Sequence, residues 1–360
     1  MSSQEPQGTT SQATGAAEAG QTPVDKLTGG PGLSHIDPRD PAAPNYELIS
    51  HLRSPLSLRE IMIQPVRTGY IGKDHPIDPK LLPPSGASLF PDVRVTEEMI
   101  PSPDGPIRCA VYHPPQPATS APPFILYAHG GGFMVGSSDD TDFITRLLAA
   151  RNGVIVVSVN YRLAPEWPFP IGLDDTLRVY QYLRQHGADL GGDPTRIAIA
   201  GDSSGANFAT AAPLRLRDQG HEMPTAVIAL GPVTDFRFEK YQSFNEQAPL
   251  GIVYDAAFAG FMRGAYVRYD QWDHPHVSPM NGDLTGYPPA MLVVGTHDGM
   301  IDSARVFATK LREAGNPHVD LYVRAGMPHG FYFFPGLFQQ EDEAFAEVGR
   351  FITRHLLPVS

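Results

Sequence analysis

Gly201-Asp202-Ser203-Ser204-Gly205 decides the reading of this 360-residue chain. It fits the pattern G-x-S-x-G with Ser203 at its centre. The apolar run Ile197-Ala198-Ile199-Ala200 before it has the length and composition of a buried strand. Ala206-Asn207-Phe208-Ala209-Thr210-Ala211-Ala212 after it reads as the first two turns of a helix. Strand, tight turn and helix are the surroundings that lift a serine hydroxyl above the edge of a sheet. The two glycines remove Cβ atoms where the backbone bends and where strand and helix approach. Taken alone, the pattern is one that chance supplies in a chain rich in Gly and Ser, so its meaning depends on what else surrounds it.

Outward from this stretch, apolar runs alternate with helical patterns. The runs are Phe124 to Ala128, Val154 to Val159, Ile197 to Ala200, Ala226 to Leu230, Ala290 to Val294 and Val319 to Val323. Helices are predicted over Asp140–Arg151, Leu173–Gln185, Asn207–Arg217, Ser303–Ala314 and Glu341–His355. Such near-continuous apolar strands, alternating with helices, predict an α/β domain with a mostly parallel central sheet covered on both faces. Asp92-Val93-Arg94-Val95-Thr96 and Ile107 to Tyr112 read as a hairpin around Pro103-Asp104-Gly105, which starts the main domain near residue 87.

One interval breaks the alternation. More than fifty residues separate the strand ending near Gly231 from the one starting near Ala290. A structureless loop of that length is foreign to a compact domain. Asp255 to Val267 reads as helix, and Phe236, Phe238, Tyr241, Phe244, Ile252, Phe258, Phe261 and Met262 give the interval its own apolar content. We expect an insertion at about 233–275 that joins short helices in 44–86 to form a helical cap. Residues 1–43, rich in Gly, Ser, Thr, Gln, Pro and Ala, are expected to be a loosely held tail.

Nucleophilic catalysis by a serine needs donors for the developing oxyanion, a base, and a group that orients the base. The first apolar run ends in His129-Gly130-Gly131-Gly132-Phe133, where consecutive glycines let backbone N–H groups point into a site. The base must come late in the chain. Among 13 histidines, His329 in Met327-Pro328-His329-Gly330-Phe331 lies just past the last predicted strand, whereas His318 lies at its wrong end. Asp298 follows the penultimate strand and is the expected acid. Asp302 reads as a helix N-cap, although spacing alone leaves the reverse assignment open. Phe133 and Met134 beside the glycine loop, Phe236 in the long interval and Phe331 beside His329 are candidate walls of a substrate pocket. His274 and His276 form an H-x-H pair without further ligands, read as a solvated loop and not as a metal site. Arg162 and Glu166 are candidates for a structural pair below the site.

Composition narrows the classes of function. The formal net charge of -12, with no dense Lys/Arg cluster, argues against nucleic acid and anionic membrane surfaces as partners. Cys109, the single cysteine, lies in a predicted strand and reads as a small buried side chain. The polar start Met1-Ser2-Ser3-Gln4-Glu5-Pro6 shows no secretory signal, and no apolar stretch has the length of a membrane span. The default reading is a cytoplasmic protein.

Together, His129-Gly130-Gly131-Gly132-Phe133, Tyr161 to Glu166, Asp193-Pro194-Thr195-Arg196, the Ser203 elbow, Ser278-Pro279, Asp298 and His329-Gly330-Phe331 resemble the hormone-sensitive-lipase-like family of α/β-hydrolases over about residues 87–360. The resemblance implies an α/β-hydrolase fold with a cap and carboxylic ester hydrolysis without a cofactor. It implies a triad of Ser203, Asp298 and His329, with an oxyanion hole from the N–H groups of Gly130, Gly131 and Ser204. The partner is then a small-molecule ester, with short acyl or aryl groups favoured; a lactone or an amide is open to the same triad. A non-catalytic receptor on this fold, as in plant proteins that resemble the family but lack the triad histidine, is disfavoured by His329. Homodimers are common among similar enzymes, and the sequence leaves the oligomeric state open. Four positions depart from the family pattern. Ser204 replaces the usual Ala and Ala206 a frequent Gly; Trp167 follows Glu166, and Asp298-Gly299-Met300-Ile301-Asp302 replaces Asp-Pro-Leu-x-Asp.

Overall fold

Burial on both sides makes the inner strands apolar along their whole length, and period-two alternation then divides their side chains between two cores. In β3 (Pro123–Ala128), Phe124, Leu126 and Ala128 enter one core while Ile125 and Tyr127 enter the other. The structure, a computed structural model, describes residues 85–250, 256–333 and 339–358. The expected tail (1–43) and nearly all of the 44–86 segment lie outside the described residues.

The strands preceding β3 are β1 (Arg94–Ile100) and β2 (Ile107–His113), which pair antiparallel as the hairpin reading expects. After β3 the chain runs through α1 (Asp142–Asn152), β4 (Ile155–Val159), α2 (Ile171–His186), β5 (Asp193–Asp202), α3 (Ser204–Asp218) and β6 (Ala226–Leu230). Then follow α4 (Gln242–Gln247), α5 (Ala256–Tyr266), β7 (Ala290–His297), α6 (Ile301–Glu313), β8 (Val319–Pro328) and α7 (Gln339–His355). The eight strands form one sheet in the order β1-β2-β4-β3-β5-β6-β7-β8, parallel from β4 to β8. Apolar residues of α1 and α7 cover one face; those of α2, α3, α5 and α6 lie with the core of the other.

The strand order reverses beside β3: the chain steps from β3 to β4 on one side and then to β5 on the other. At such a switch point the two following loops part and leave a crevice at the carboxyl ends of the strands. His129-Gly130-Gly131 follows β3 there, and Ser203 follows β5.

The segment between β6 and β7 packs onto this end of the sheet. Phe133, just after the glycine loop, stacks on Tyr266 of α5 with ring centroids 3.8 Å apart and a 7° interplanar angle. A Cβ on Gly132 would meet Met262 of α5 at 3.0 Å. Cys109 is fully buried in β2, and burial pushes its thiol pKa up to about 12.

Three local expectations are corrected. Arg162 does not reach Glu166; it forms a fork on Asp175 (2.8 and 2.6 Å), reaches Asp104 at 2.8 Å and lies over the Trp167 ring. A planar guanidinium favours a bidentate carboxylate over a single contact. His276 is buried, not solvated: its Nε2 lies 2.8 Å from Asp218 and its Nδ1 3.5 Å from Arg215, both at the end of α3. Among the described residues no group of three or more His, Cys, Asp or Glu side chains is arranged to hold a metal. Asp302 does not cap α6, whose N-cap is Met300; it sits inside the first turn and accepts the Ser243 N–H of α4 at 2.9 Å. Among the described residues no helix is long and apolar enough to cross a membrane.

Candidate active site

The turn at Ser203 is built by close backbone packing. A Cβ on Gly205 would lie 2.0 Å from the Ala128 carbonyl oxygen, and one on Gly201 would lie 2.5 Å from the Gly205 carbonyl carbon. Only glycine lets α3 begin this close to β3 and β5. Ser203 adopts φ 51° and ψ -115°, a conformation costly for a side-chain-bearing residue. Its N–H donates to Leu230 O at 2.8 Å, which holds the turn to the end of β6. Asn207, one turn into α3, donates from Nδ2 to Val233 O (2.7 Å) and Val277 O (2.8 Å), tying the helix start to both ends of the inserted segment. Because α3 starts at Ser204, the N–H groups of its first turn have no intrahelical acceptor and concentrate positive potential beside Ser203.

His329 follows β8, and its Nε2 lies 2.9 Å from Ser203 Oγ. Its Nδ1 lies 2.8 Å from Asp298 Oδ2. The carboxylate can only accept, so the Nδ1 hydrogen goes to Asp298 and Nε2 is left to accept from the serine hydroxyl. Burial by itself lowers the His329 pKa, but the charge and hydrogen bond of Asp298, joined by the charge of Asp202, leave it raised above 6.5. Asp298 Oδ1 accepts the Met300 N–H at 2.9 Å, which fixes the carboxylate plane. The structure thus brings Ser203, His329 and Asp298 into one hydrogen-bonded row, drawn from the ends of β5, β8 and β7.

The glycine loop is buttressed from beneath. His129 Nδ1 lies 2.7 Å from the Gly130 carbonyl, which requires the Nδ1–H tautomer. Burial pushes the His129 pKa down to about 4, so the ring is neutral. It stacks on Tyr161 with centroids 4.2 Å apart, and the Tyr161 hydroxyl donates to His129 O at 2.7 Å. Gly131 and Gly132 both have positive φ, and their N–H groups have no acceptor among the described residues. Gly130, the other expected donor of this loop, lies beside the Asp202 carboxyl, and its N–H helps to hold that carboxyl's pKa down against burial.

Asp202 is the buried charge that the sequence reading passed over. Its side chain is inaccessible; Oδ1 accepts the Tyr127 hydroxyl at 2.8 Å, while Oδ2 has no partner of good geometry. Burial raises its pKa to about 7, against the pull of Tyr127, the Gly130 N–H and His329. Its place as the first x of G-x-S-x-G was the available signal: the residue before the nucleophile on β5 must point into the core beneath the loops.

The four expected pocket walls are corrected. Phe133, Met134, Phe236 and Phe331 have at most 1% of their surface exposed, so they present no free face to a substrate. Phe133 and Phe236 belong to an aromatic cluster with Phe208 and Tyr266, and Phe331 packs in the core of the opposite sheet face with Tyr332. A motif identifies neighbours in sequence but not which face of a loop a side chain takes.

Comparison with known proteins agrees with this arrangement. A family model described as alpha/beta hydrolase fold matches residues 125–333. The chain is 36% identical over 254 residues to carboxylesterase NlhH of Mycobacterium tuberculosis, covering 68% of this chain and 78% of that protein. It is 33% identical over 259 residues to ethyl acetate hydrolase of Pseudomonas putida, covering 70% of this chain and 79% of that one. Among solved structures, a hyperthermophilic esterase from the archaeon Pyrobaculum calidifontis superposes with a TM-score of 0.73 at 27% identity, over 86% of this chain and 94% of that one. The switch-point crevice, the elbow after β5 and the family match place this chain in the α/β-hydrolase family, within its hormone-sensitive-lipase-like branch.

Proposed function

We propose that the protein is a serine carboxylesterase that cleaves short-acyl or aryl carboxylic esters through an acyl-enzyme intermediate. The observation that carries this reading is the row Ser203 Oγ, His329 Nε2 and Nδ1, Asp298 Oδ2, with contacts of 2.9 and 2.8 Å. In the proposed reaction Ser203 Oγ attacks the ester carbonyl carbon as its proton passes to His329 Nε2. The carbonyl oxygen becomes an oxyanion, received by the N–H groups of Gly131, Gly132 and Ser204, while Asp298 stabilises the imidazolium. Each such donor contributes about 3 kcal/mol to the transition state in comparable sites. His329 then gives its proton to the departing alkoxide, and the alcohol leaves. Water, deprotonated by the same nitrogen, attacks the acyl-enzyme; collapse of the second tetrahedral adduct returns the proton to Ser203 and frees the acid.

The close approach of Met262 of α5 to Gly132 supports reading the insertion as a cap over the glycine loop, which favours short acyl groups. Relatives named ethyl acetate hydrolase and acetyl-hydrolase support the same preference. Ser203→Ala should lower kcat/KM for p-nitrophenyl butyrate by roughly 10⁶-fold with an unchanged melting temperature, and should abolish labelling by a fluorophosphonate. Retained activity in that variant would refute the assignment. A chain-length series from acetate to palmitate tests the acyl preference, and a maximum at palmitate overturns it.

A further inference from the structure

The acid loop carries Gly299 and Met300 between Asp298 and Ile301. Gly299 has the widest backbone freedom of any residue. Within the loop itself, Met300 N–H on Asp298 Oδ1 (2.9 Å) and Ile301 N–H on Asp298 O (3.1 Å) fix the acid only as firmly as residues 299–301 are themselves fixed.

Part of that restraint is the start of α6, where the Ala304 N–H (3.0 Å) and the Ser303 hydroxyl (2.9 Å) both donate to Met300 O; part comes from outside the loop. Ser243, the second residue of α4, is 7% exposed and grips both sides of Met300. Its hydroxyl donates to Gly299 O at 2.8 Å and accepts the Asp302 N–H at 3.3 Å. Its own N–H, among those a helix start leaves without an intrahelical acceptor, donates to Asp302 Oδ2 at 2.9 Å. One side chain therefore uses donor and acceptor capacity together, and the partners are 56 and 59 residues away in sequence. A bond made to a charged, partly buried carboxylate is stronger than a neutral one.

We propose that Ser243 is a positioning residue for Asp298: α4, part of the insertion between β6 and β7, clamps the acid loop from across the site. The inference rests on the assignment of Asp298 as the acid of the triad. It makes the alignment of His329 depend on the insertion being docked. The groups that set the charge state of His329 are Asp298 on the loop after β7 and Asp202 on β5, with the Tyr332 phenol nearby; only the first is held by the clamp.

The test is Ser243→Ala in the full chain, assayed with p-nitrophenyl acetate. We expect kcat to fall roughly tenfold to a hundredfold, as for other sub-ångström to ångström misplacements of catalytic groups, with KM within about twofold. The acid limb of kcat/KM should move to lower pH, because burial already lowers the His329 pKa and a loosened Asp298 opposes it less. A purely structural role would lower the melting temperature and leave both kcat and the limb in place; that result overturns the proposal. Asp298→Asn separates the two layers. If it keeps wild-type kcat, the acid assignment fails and the clamp falls with it; if it is inactive while Ser243→Ala matches wild type, only the clamp fails. Should Ser243→Ala not fold, Asp302→Ala removes one bond of the clamp from a side chain that is 30% exposed. It is expected to lower kcat several-fold with the same shift of the limb, and unchanged values would again overturn the proposal.

Discussion

The turn at Ser203 and the loop at Asp298 each fix one member of the same hydrogen-bonded row, but by different means. The Ser203 turn is held by its own backbone: glycines at 201 and 205 in contact with β3, an N–H on the end of β6, and a helix that starts at the next residue. The Asp298 loop is held by short internal bonds, by the first turn of α6 on Met300 O, and by Ser243, far away in sequence. Rigidity written into local backbone packing tolerates changes elsewhere; rigidity borrowed from a distant element is exposed to whatever moves that element.

The comparison can be broken most forcefully at Gly205. An added Cβ would meet the Ala128 carbonyl at 2.0 Å, and β3 cannot yield without losing its ladder. Gly205→Ala gains about 1 kcal/mol of helix propensity but meets an overpacking cost of about 3 kcal/mol. A net loss of stability in urea denaturation is expected; unchanged stability would show that the turn is softer than its packing implies. A smaller effect sharpens the other side. Gly299→Pro gives the acid loop stiffness of its own, with about 0.5 kcal/mol of added stability if the local backbone accepts it. In that background Ser243→Ala should lose less kcat than in the natural chain, and additivity of the two changes would count against a shared restraint. The smallest effect is expected at Ser204→Ala. Its backbone N–H stays, its hydroxyl has no good hydrogen-bond partner, and kcat for p-nitrophenyl butyrate should remain within about twofold. A dead Ser204→Ala would mean that the wrong serine of the elbow has been assigned.

The same contrast explains what could be read in advance. The strands were visible because burial on both faces leaves continuous apolar runs such as Phe124 to Ala128. The Ser203 turn was visible because its packing demand falls on glycines within the stretch itself. Asp298 and His329 were found by their order and by the strands they follow, and the structure sets them 2.8 Å apart. What was missed depends on tertiary approach. Asp302 was expected to cap its own helix, and its carboxylate instead serves the start of α4. Phe133 and Phe236 were expected to face a ligand, but they meet Tyr266 in a closed cluster that no local pattern announces. Asp202 is an acidic residue among apolar ones, and its burial is offset by Tyr127 on the neighbouring strand together with the Gly130 N–H and His329.

The burial of Cys109 has a practical side. The chain has no other cysteine, and this one is closed to solvent within β2 with a thiol that stays protonated at neutral pH. Maleimide dyes and spin labels will therefore find nothing to react with on the folded protein. A cysteine introduced at Glu246, exposed on the outer side of α4, becomes the single addressable thiol. A probe attached there would report directly on whether α4 stays seated during turnover, with no background from the native chain.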